Sequence, residues 1–342
     1  MRVMAAMSGG VDSSVAAAML RDEGHEVVGV TLKLWGGDSD SGCCSVSDVD
    51  DARRVAQQLG IDHHVFNFGD EFMARVVDPY VADHAAGRTP NPCIECNRHL
   101  KFDRLLQRAV ALGFDAVATG HHARVVTRPD GSRRVARGAD AAKDQSYVLN
   151  MLDQHQLAQV RFPVGDQNKD QVRATAEALG LRTATKPDSQ DVCFITASRG
   201  GRAPFLADRI ALHEAEVVDV EGRAVGRVDA VELVTIGQRR GLGVSGSGDR
   251  VFAVAVDVPR RRVTVGSADD LLTSEVPLRD LSWTAGAITG QVLAQCSAHG
   301  AAAPASVDGE VLRWHEPRRR IAPGQSVVLY EADEVVGSAI AT

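Results

Sequence analysis

The chain has 342 residues, enough for two or three domains of ~100–200 residues each. With 44% hydrophobic and 24% charged residues it is neither disordered nor of low complexity, and its uncharged apolar runs fall short of the ~20 residues of a membrane-spanning helix. A net charge of −7 argues against a wholesale basic coat for nucleic acid.

The first ~195 residues alternate short apolar strands with amphipathic helices. Val3–Met7 reads as a strand, Ser13–Arg21 as a helix closed by Gly24, and Val27–Leu34 as a second buried strand. A helix is expected from Asp48 to Leu59 with Ser47 as N-cap, then a strand over His64–Phe68. Gly87–Asn97, with its prolines and asparagines, reads as a stiff exposed loop holding Cys93-Ile94-Glu95-Cys96. Phe102–Leu112 follows as a helix, and Asp115–Thr119 as a strand running into Gly120-His121-His122. Strands alternating with helices of this length predict a parallel sheet with right-handed crossovers.

Beyond about residue 200 the rhythm changes to hairpins: Val217–Val220 with Ala224–Val228, and Val251–Val256 with Arg262–Val265. From ~275 onward, evenly spaced short strands end in Val327–Tyr330 and Val335–Ile340, the pattern of a small barrel or sandwich. The expected layout is α/β: a nucleotide-binding and catalytic domain over residues 1–200, a central β-rich domain over 201–272 and a C-terminal β-barrel over 273–342. Basic clusters at Arg239-Arg240, Arg260–Arg262 and Arg318–Arg320 are local patches that read first as solvated faces. The N-terminus has no signal-peptide apolar region, so a cytoplasmic location is expected, with no membrane partner.

Ser8-Gly9-Gly10-Val11-Asp12-Ser13 lies between the first strand and the first helix. Two glycines let backbone approach a ligand closely, and the helix N-terminus behind them offers unpaired N–H groups and a positive dipole end, which suits phosphate. Asp12 is a candidate for holding Mg²⁺ against those phosphates. No Gly-Lys-Ser/Thr follows and no third glycine is present, so this is neither a Walker A loop nor a dinucleotide fingerprint.

Six cysteines are too few for a disulfide scaffold, and in a reducing compartment they read as metal, redox or nucleophilic groups. Arg88, Arg98 and Lys101 stand near enough in sequence to lower a thiol pKa in Cys93-x-x-Cys96. Cys193 is expected at a strand entrance after Asp188-Ser189-Gln190-Asp191, and Cys296 in a strand-like run, buried and inert. Cys43 and Cys44 follow Trp35-Gly36-Gly37 in a Gly/Ser/Asp-rich stretch with the character of a lid. Their adjacency makes a poor zinc knuckle with Cys93 and Cys96. His63-His64 reads as structural, and His121 as a substrate contact.

Ser-Gly-Gly-x-Asp-Ser in this position resembles the PP-loop ATP pyrophosphatases. Further strings in one order resemble the bacterial tRNA-specific 2-thiouridylase (MnmA) family over nearly the whole chain. They are Gly87–Asn97, Thr119-Gly120-His121, Lys143–Tyr147, Phe162–Gly165, Cys193-Phe194-Ile195, Gly237–Gly243 and Pro323–Ser326. The resemblance implies ATP binding by Ala6, Met7, Ser8, Gly9, Gly10, Val11, Asp12 and Ser13, with Leu32 and Gly120 near the adenosine. It implies target-base contacts at Asn91, Pro92 and Cys93, and tRNA contacts at His121, Lys143, Asp144, Gln145 and Gln325. Cys96 would be the nucleophile and Cys193 the persulfide carrier, with Asp12 in the catalytic set and a Cys96–Cys193 disulfide as product.

The implied partners are the tRNA anticodon stem-loop and a persulfide donor such as a cysteine desulfurase or sulfur relay; the implied small molecules are ATP and Mg²⁺. Many family members carry Asp where this chain has Cys93, and the family's Arg-Tyr pair is replaced near Ser297-Ala298-His299-Gly300. Alternatives are a [4Fe-4S] cluster on Cys93, Cys96 and Cys193, another PP-loop ligase, and a non-catalytic RNA-binding protein.

Overall fold

The computed structural model describes residues 1–35, 46–188, 192–195, 200–244 and 250–342. Cys43, Cys44, the glycines after Trp35 and Ser189–Asp191 lie outside the described residues. Two compact units are present: residues 1–76, 93–197 and 333–336, and residues 77–92, 198–332 and 337–342.

The first unit is built on a five-stranded parallel sheet. β1 (Arg2–Ala6), β2 (Glu26–Lys33), β3 (Asp62–Asn67), β4 (Ala116–Thr119) and β7 (Val160–Arg161) lie in the order β3-β2-β1-β4-β7. Between β4 and β7 the chain forms an antiparallel hairpin of β5 (Ala123–Thr127) and β6 (Arg133–Arg137), which the sequence reading did not separate out. Helix α1 (Val11–Asp22) follows β1 directly and buries Val15, Ala16, Ala17 and Ala18 on several sides, because alanine side chains let a helix pack closely all round. Helix α2 (Val46–Leu59) buries Ala52, Val55, Ala56 and Leu59, the spacing of a single apolar face. It starts at Val46, so Ser47 lies inside the helix and is not its N-cap. These helices share one core with Val3, Ala5, Ala116 and Ala118 of the sheet and Val172 and Ala176 of the helix Lys169–Ala178.

The expected loop around the cysteine pair is a helix instead. Helical geometry begins at Pro92 and continues through Pro92–Cys96, a π-helical stretch Asn97–Arg104 and Leu105–Ala111. Proline suits a first helical position because it needs no N–H partner there and its φ is preset. Ile94, Leu100, Phe102 and Leu105, each about 1% exposed or less, then draw the segment into the core. The prolines and asparagines that read as loop are confined to the entry.

In the second unit, β8 (Ala215–Val218), β9 (Ala224–Val228), β10 (Phe252–Asp257) and β11 (Arg262–Gly266) form a sheet in the order β10-β11-β8-β9. Both hairpins are antiparallel, as read, and they join through a parallel β11–β8 pair. Val217, Val231, Ala253 and Val263 fill its core. β12 (Leu272–Trp283), β13 (Gly290–Gln295), β14 (Ala303–Asp308), β15 (Val311–Arg319), β16 (Ser326–Glu331) and β17 (Glu334–Ala341) close into a six-stranded antiparallel barrel. Closure is made by β12, which pairs with β15 through Leu272–Pro277 and with β17 through Leu278–Trp283. A closed barrel leaves no sheet edge to be protected. The chain is thus an α/β protein with a parallel-sheet domain followed by β-rich structure. Among the described residues no helix is long and apolar enough to cross a membrane.

Candidate active site

β1 is flanked by β2 on one side and β4 on the other, so the strand order reverses between β1 and β4. Crevices for ligands open at the carboxyl ends of strands at such a switch point. Ser8–Ser13 leaves the end of β1 there, and Gly120-His121-His122 leaves the end of β4. Gly120 comes so close to the loop that a Cβ on it would lie 2.5 Å from the Ser13 nitrogen and 2.6 Å from the Asp12 carbonyl carbon. Gly9 adopts φ 73° against the backbone of Asp48, a place with neither the conformational freedom nor the room for a side chain.

The loop is held by its own hydroxyls. Ser13 Oγ accepts from the Ser8 N–H at 3.1 Å and donates to the Gly10 carbonyl at 3.1 Å, and Ser14 Oγ donates to the same carbonyl at 2.8 Å. Gly10 is the N-cap of α1 and offers no side chain to the first-turn N–H groups. Those donors face outward with the dipole's positive end behind them, the arrangement that receives phosphate oxygens. Met7 and Leu32 are buried and Ser8 is exposed.

Asp12 is engaged on both oxygens. Lys169 Nζ donates to them at 2.7 and 2.8 Å, and His122 Nε2 stands 3.1 Å from Oδ1. Burial pushes the Asp12 pKa up, but these two partners outweigh it and hold the group ionised, below its usual range. Lys169 also lies 2.8 Å from Asp188, whose oxygens take Lys143 Nζ at 2.8 Å and Arg173 Nη2 at 3.0 Å. Burial again acts upward on Asp188, and Lys143 and Lys169 pull its pKa down to about 2. On the other flank, Lys186 Nζ donates to the Gly9 carbonyl at 2.9 Å, to Asp48 at 2.6 Å and to Asp51 at 2.8 Å. Both Asp12 oxygens are thus taken by Lys169 Nζ in this structure, while the ionised carboxylate keeps lone pairs on each oxygen that could meet Mg²⁺ arriving with the phosphates.

Lys169, His122, Arg173 and Lys186 are the site residues that the sequence reading passed over. One signal was legible. Lys169 is the first helical residue after Asn168, whose side chain forms a reciprocal capping box with Gln171. A cation in a first turn opposes the helix dipole, which points to a partner elsewhere.

The expected tRNA triplet is tied down internally. Asp144 accepts from Arg137 Nη1 at 2.6 Å, from the Gly138 and Ser146 N–H groups and from Ser146 Oγ. Gln145 Oε1 accepts from the His122 N–H at 3.0 Å, and Lys143 pairs with Asp188. His121 is 8% exposed, packs edge-on to Phe162 and tilted to Phe102, and lies 2.6 Å from Thr119 Oγ1. Burial, with Lys101 and His122 nearby, keeps it neutral, its pKa well below the ordinary histidine value. His63, bonded to Thr31 at 2.9 Å, is structural as read.

Cys93 is exposed, Cys96 is 9% exposed on the buried side of the same helical turn, and Cys193 is half-buried. Phe194, next to Cys193, packs against Phe72 at 5.6 Å and Trp35 at 5.8 Å. Among the described residues no group of three or more His, Cys, Asp or Glu side chains converges to hold a metal. As placed among the described residues, Cys93, Cys96 and Cys193 do not converge as the thiolate set of an iron–sulfur cluster. In the second unit, Asn91 and Gln325 are half-buried, and the Ala341 N–H donates to the Gln325 carbonyl at 2.9 Å.

The family model for the tRNA methyl transferase HUP domain matches residues 1–197, more than half of the chain. A relative called tRNA-specific 2-thiouridylase MnmA from Mycobacteroides abscessus is 47% identical, covering 100% of this chain and 99% of its own. The chain belongs to the tRNA-specific 2-thiouridylase MnmA family. Models for the tRNA methyl transferase PRC-barrel domain and the aminomethyltransferase β-barrel domain match residues 203–267 and 274–341. MnmA relatives from Streptomyces coelicolor (45% identical, 99% of this chain, 94% of theirs) and Geobacter metallireducens (42%, 98%, 95%) extend the correspondence. As a PP-loop family it is ATP-utilising, in keeping with the loop at the end of β1.

Proposed function

We propose that this protein is an ATP-dependent tRNA 2-thiouridylase acting on the wobble uridine of the anticodon. The observation that carries the reading is the phosphate loop: a helix N-terminus without a side-chain cap, following two glycines and flanked by Lys169, Lys186 and His122. The full-length likeness to relatives named 2-thiouridylase supplies the substrate class.

Oxygen at C2 of uridine is a poor leaving group. ATP remedies this when the C2 oxygen attacks the α-phosphorus, the α–β bridge breaks and pyrophosphate departs, leaving AMP bonded to the base. The loop N–H groups and flanking ammonium groups stabilise charge on the departing pyrophosphate. Mg²⁺ would enter with the phosphates as part of the substrate. The terminal sulfur of a Cys193 persulfide then replaces AMP at C2, by direct attack or as sulfide released by Cys96. Attack of the Cys96 thiolate on Cys193 Sγ frees the new 2-thiouridine and forms a Cys96–Cys193 disulfide, which a cellular thiol must reduce. A persulfide donor protein reloads Cys193.

To reach the loop the base leaves the anticodon stack, a cost of a few kcal/mol. The central and C-terminal domains, divided near residues 201 and 273, with Arg239-Arg240 and Arg318–Arg320, would hold the anticodon stem through its backbone.

The test is anaerobic incubation with ATP, Mg²⁺, unmodified tRNA and a sulfide donor, followed by nucleoside mass analysis. An ATP-dependent uridine heavier by the sulfur–oxygen difference is expected. ATP cleaved to AMP with no such nucleoside would refute thiolation and leave a PP-loop ligase.

A further inference from the structure

Asn97 closes the string Gly87–Asn97, and the reaction laid out above gives it no part. It follows Cys96 directly and is 2% exposed. Its amide is committed on one side only. Asn97 Nδ2 donates to the Val148 carbonyl at 2.8 Å, while the buried Oδ1 has no hydrogen-bond partner among the described residues. A buried acceptor without a partner is destabilising, and an apolar side chain of similar size would remove that cost. Fold stability alone is therefore a weak reason for asparagine at this position.

The backbone around it supplies a better one. At Asn97 the helix that carries Cys93 and Cys96 widens into the π-helical stretch Asn97–Arg104, closed by the Leu105 N–H on the Leu100 carbonyl. Wide turns of this kind occur frequently at functional sites. This one is pinned near both ends to the segment that follows β6. Asn97 holds Val148 at its start, and Gln156 Nε2 donates to the Phe102 carbonyl at 2.8 Å near its end. Val148 is itself fixed, in the 3₁₀ turn Ser146–Leu149, with its N–H on the Gln145 carbonyl at 3.1 Å. Gln145 pairs twice with His122: its N–H donates to the His122 carbonyl at 2.9 Å, and its Oε1 accepts from the His122 N–H at 3.0 Å. A continuous hydrogen-bonded path thus joins the end of β4 to the turn after Cys96.

We propose that Asn97 is a positioning residue for sulfur transfer: its bond to the Val148 carbonyl fixes the Cys96 thiol relative to the end of β4. This rests on the thiolase reading above. Attack of the Cys96 thiolate on Cys193 Sγ needs its reacting atoms aligned, and a displacement of ~1 Å costs on the order of 10²-fold in rate. Adenylation of the base uses neither thiol, so it does not depend on Asn97.

Two variants of nearly the same size separate these steps. Asn97→Leu removes the donor and the orphaned acceptor together. Asn97→Asp keeps the shape and turns an acceptor toward the Val148 carbonyl. In each full-length variant, tRNA-stimulated pyrophosphate exchange into ATP reads adenylation, and the rate of 2-thiouridine formation with a sulfide donor reads the whole reaction. The ratio of thiolation to exchange is expected to fall about tenfold or more in both, with exchange within about threefold of wild type. Asn97→Leu should keep a Tm close to wild type, because it loses a hydrogen bond and an unsatisfied acceptor at once.

A residue serving only the fold would lower both rates and the Tm together and leave the ratio unchanged. A ratio within about threefold of wild type in either folded variant overturns the proposal. Failure of both variants to fold also overturns it, since it assigns Asn97 to the fold. Wild-type chain that exchanges pyrophosphate but forms no 2-thiouridine refutes the thiolase reading and this role with it. Wild-type chain that thiolates, beside variants that keep its ratio, refutes only the role of Asn97.

Discussion

Gly120→Ala places one methyl group against the phosphate loop and tests whether β4 and α1 fit as tightly as the site requires. The added Cβ would sit 2.5, 2.6 and 2.9 Å from the Ser13 nitrogen and the Asp12 carbonyl carbon and oxygen, all backbone atoms that no rotamer change can move. Ordinary contact begins at 3.4 Å, so the loop or the end of β4 must retreat by roughly 0.9 Å. Overpacking of this kind costs about 1–3 kcal/mol, which in a unit of this size lowers Tm by several degrees. The functional loss should be larger than the loss of stability, because a displacement of ~1 Å in positioning groups costs on the order of 10²-fold in rate. Pyrophosphate exchange into ATP, stimulated by tRNA, reads that loss directly and is independent of sulfur delivery. Gly286→Ala is the matched control, since a Cβ there meets nothing within 4 Å. Gly120→Ala protein with exchange within about threefold of wild type and an unchanged Tm would show that the loop yields easily, and the positioning argument would fail.

Other expectations concern the thiols and the histidines. Cys96→Ser and Cys193→Ser should each abolish 2-thiouridine formation while tRNA binding and pyrophosphate exchange persist; substantial thiolation in either variant would remove that cysteine from the sulfur route. Cys296 is half-buried rather than fully buried as expected, and its desolvated thiol is pushed up to about 12, so at pH 8 only ~10⁻⁴ of it is thiolate. In native protein it should resist iodoacetamide while exposed Cys93 reacts, and comparable rates in a peptide map would contradict this. His84 is 3% exposed, stacks edge-on with Tyr80 at 4.5 Å, and is held at about 4 by burial and by Arg202. Unfolded, it titrates near 6.5, so between pH 6.5 and 4 the unfolded chain binds more protons and stability falls as pH falls, by at most about 3 kcal/mol. Urea unfolding of His84→Phe should lose part of that slope, and identical slopes in variant and wild type would refute the assignment.

The sequence alone determined the periodicities and the loop chemistry of this protein. Val3–Met7 followed by Ser-Gly-Gly-x-Asp-Ser and an Ala-rich helix specifies strand, phosphate loop and helix locally, because each depends on spacing and on glycine conformation. The hairpins around Gly222 and Pro259 were legible for the same reason. What sequence left undecided depends on distance along the chain. The sequence offers Asp12 as a candidate for holding Mg²⁺, and only the fold shows that Lys169, 157 residues away, reaches both its oxygens. Lys143, Asp144 and Gln145 are tRNA contacts only by the family resemblance, and the fold alone shows that they also bond to Asp188, Arg137 and His122. The Cys93–Cys96 segment read as loop from its prolines and asparagines, and became helix because Ile94, Leu100 and Phe102 gain more by burial than the local turn preference is worth. Local preferences of this kind are worth about 1 kcal/mol or less per residue, and a buried aromatic or a paired ammonium outweighs them. Where an ion pair or a core contact joins segments far apart in the chain, only the tertiary structure decides which side chain meets which.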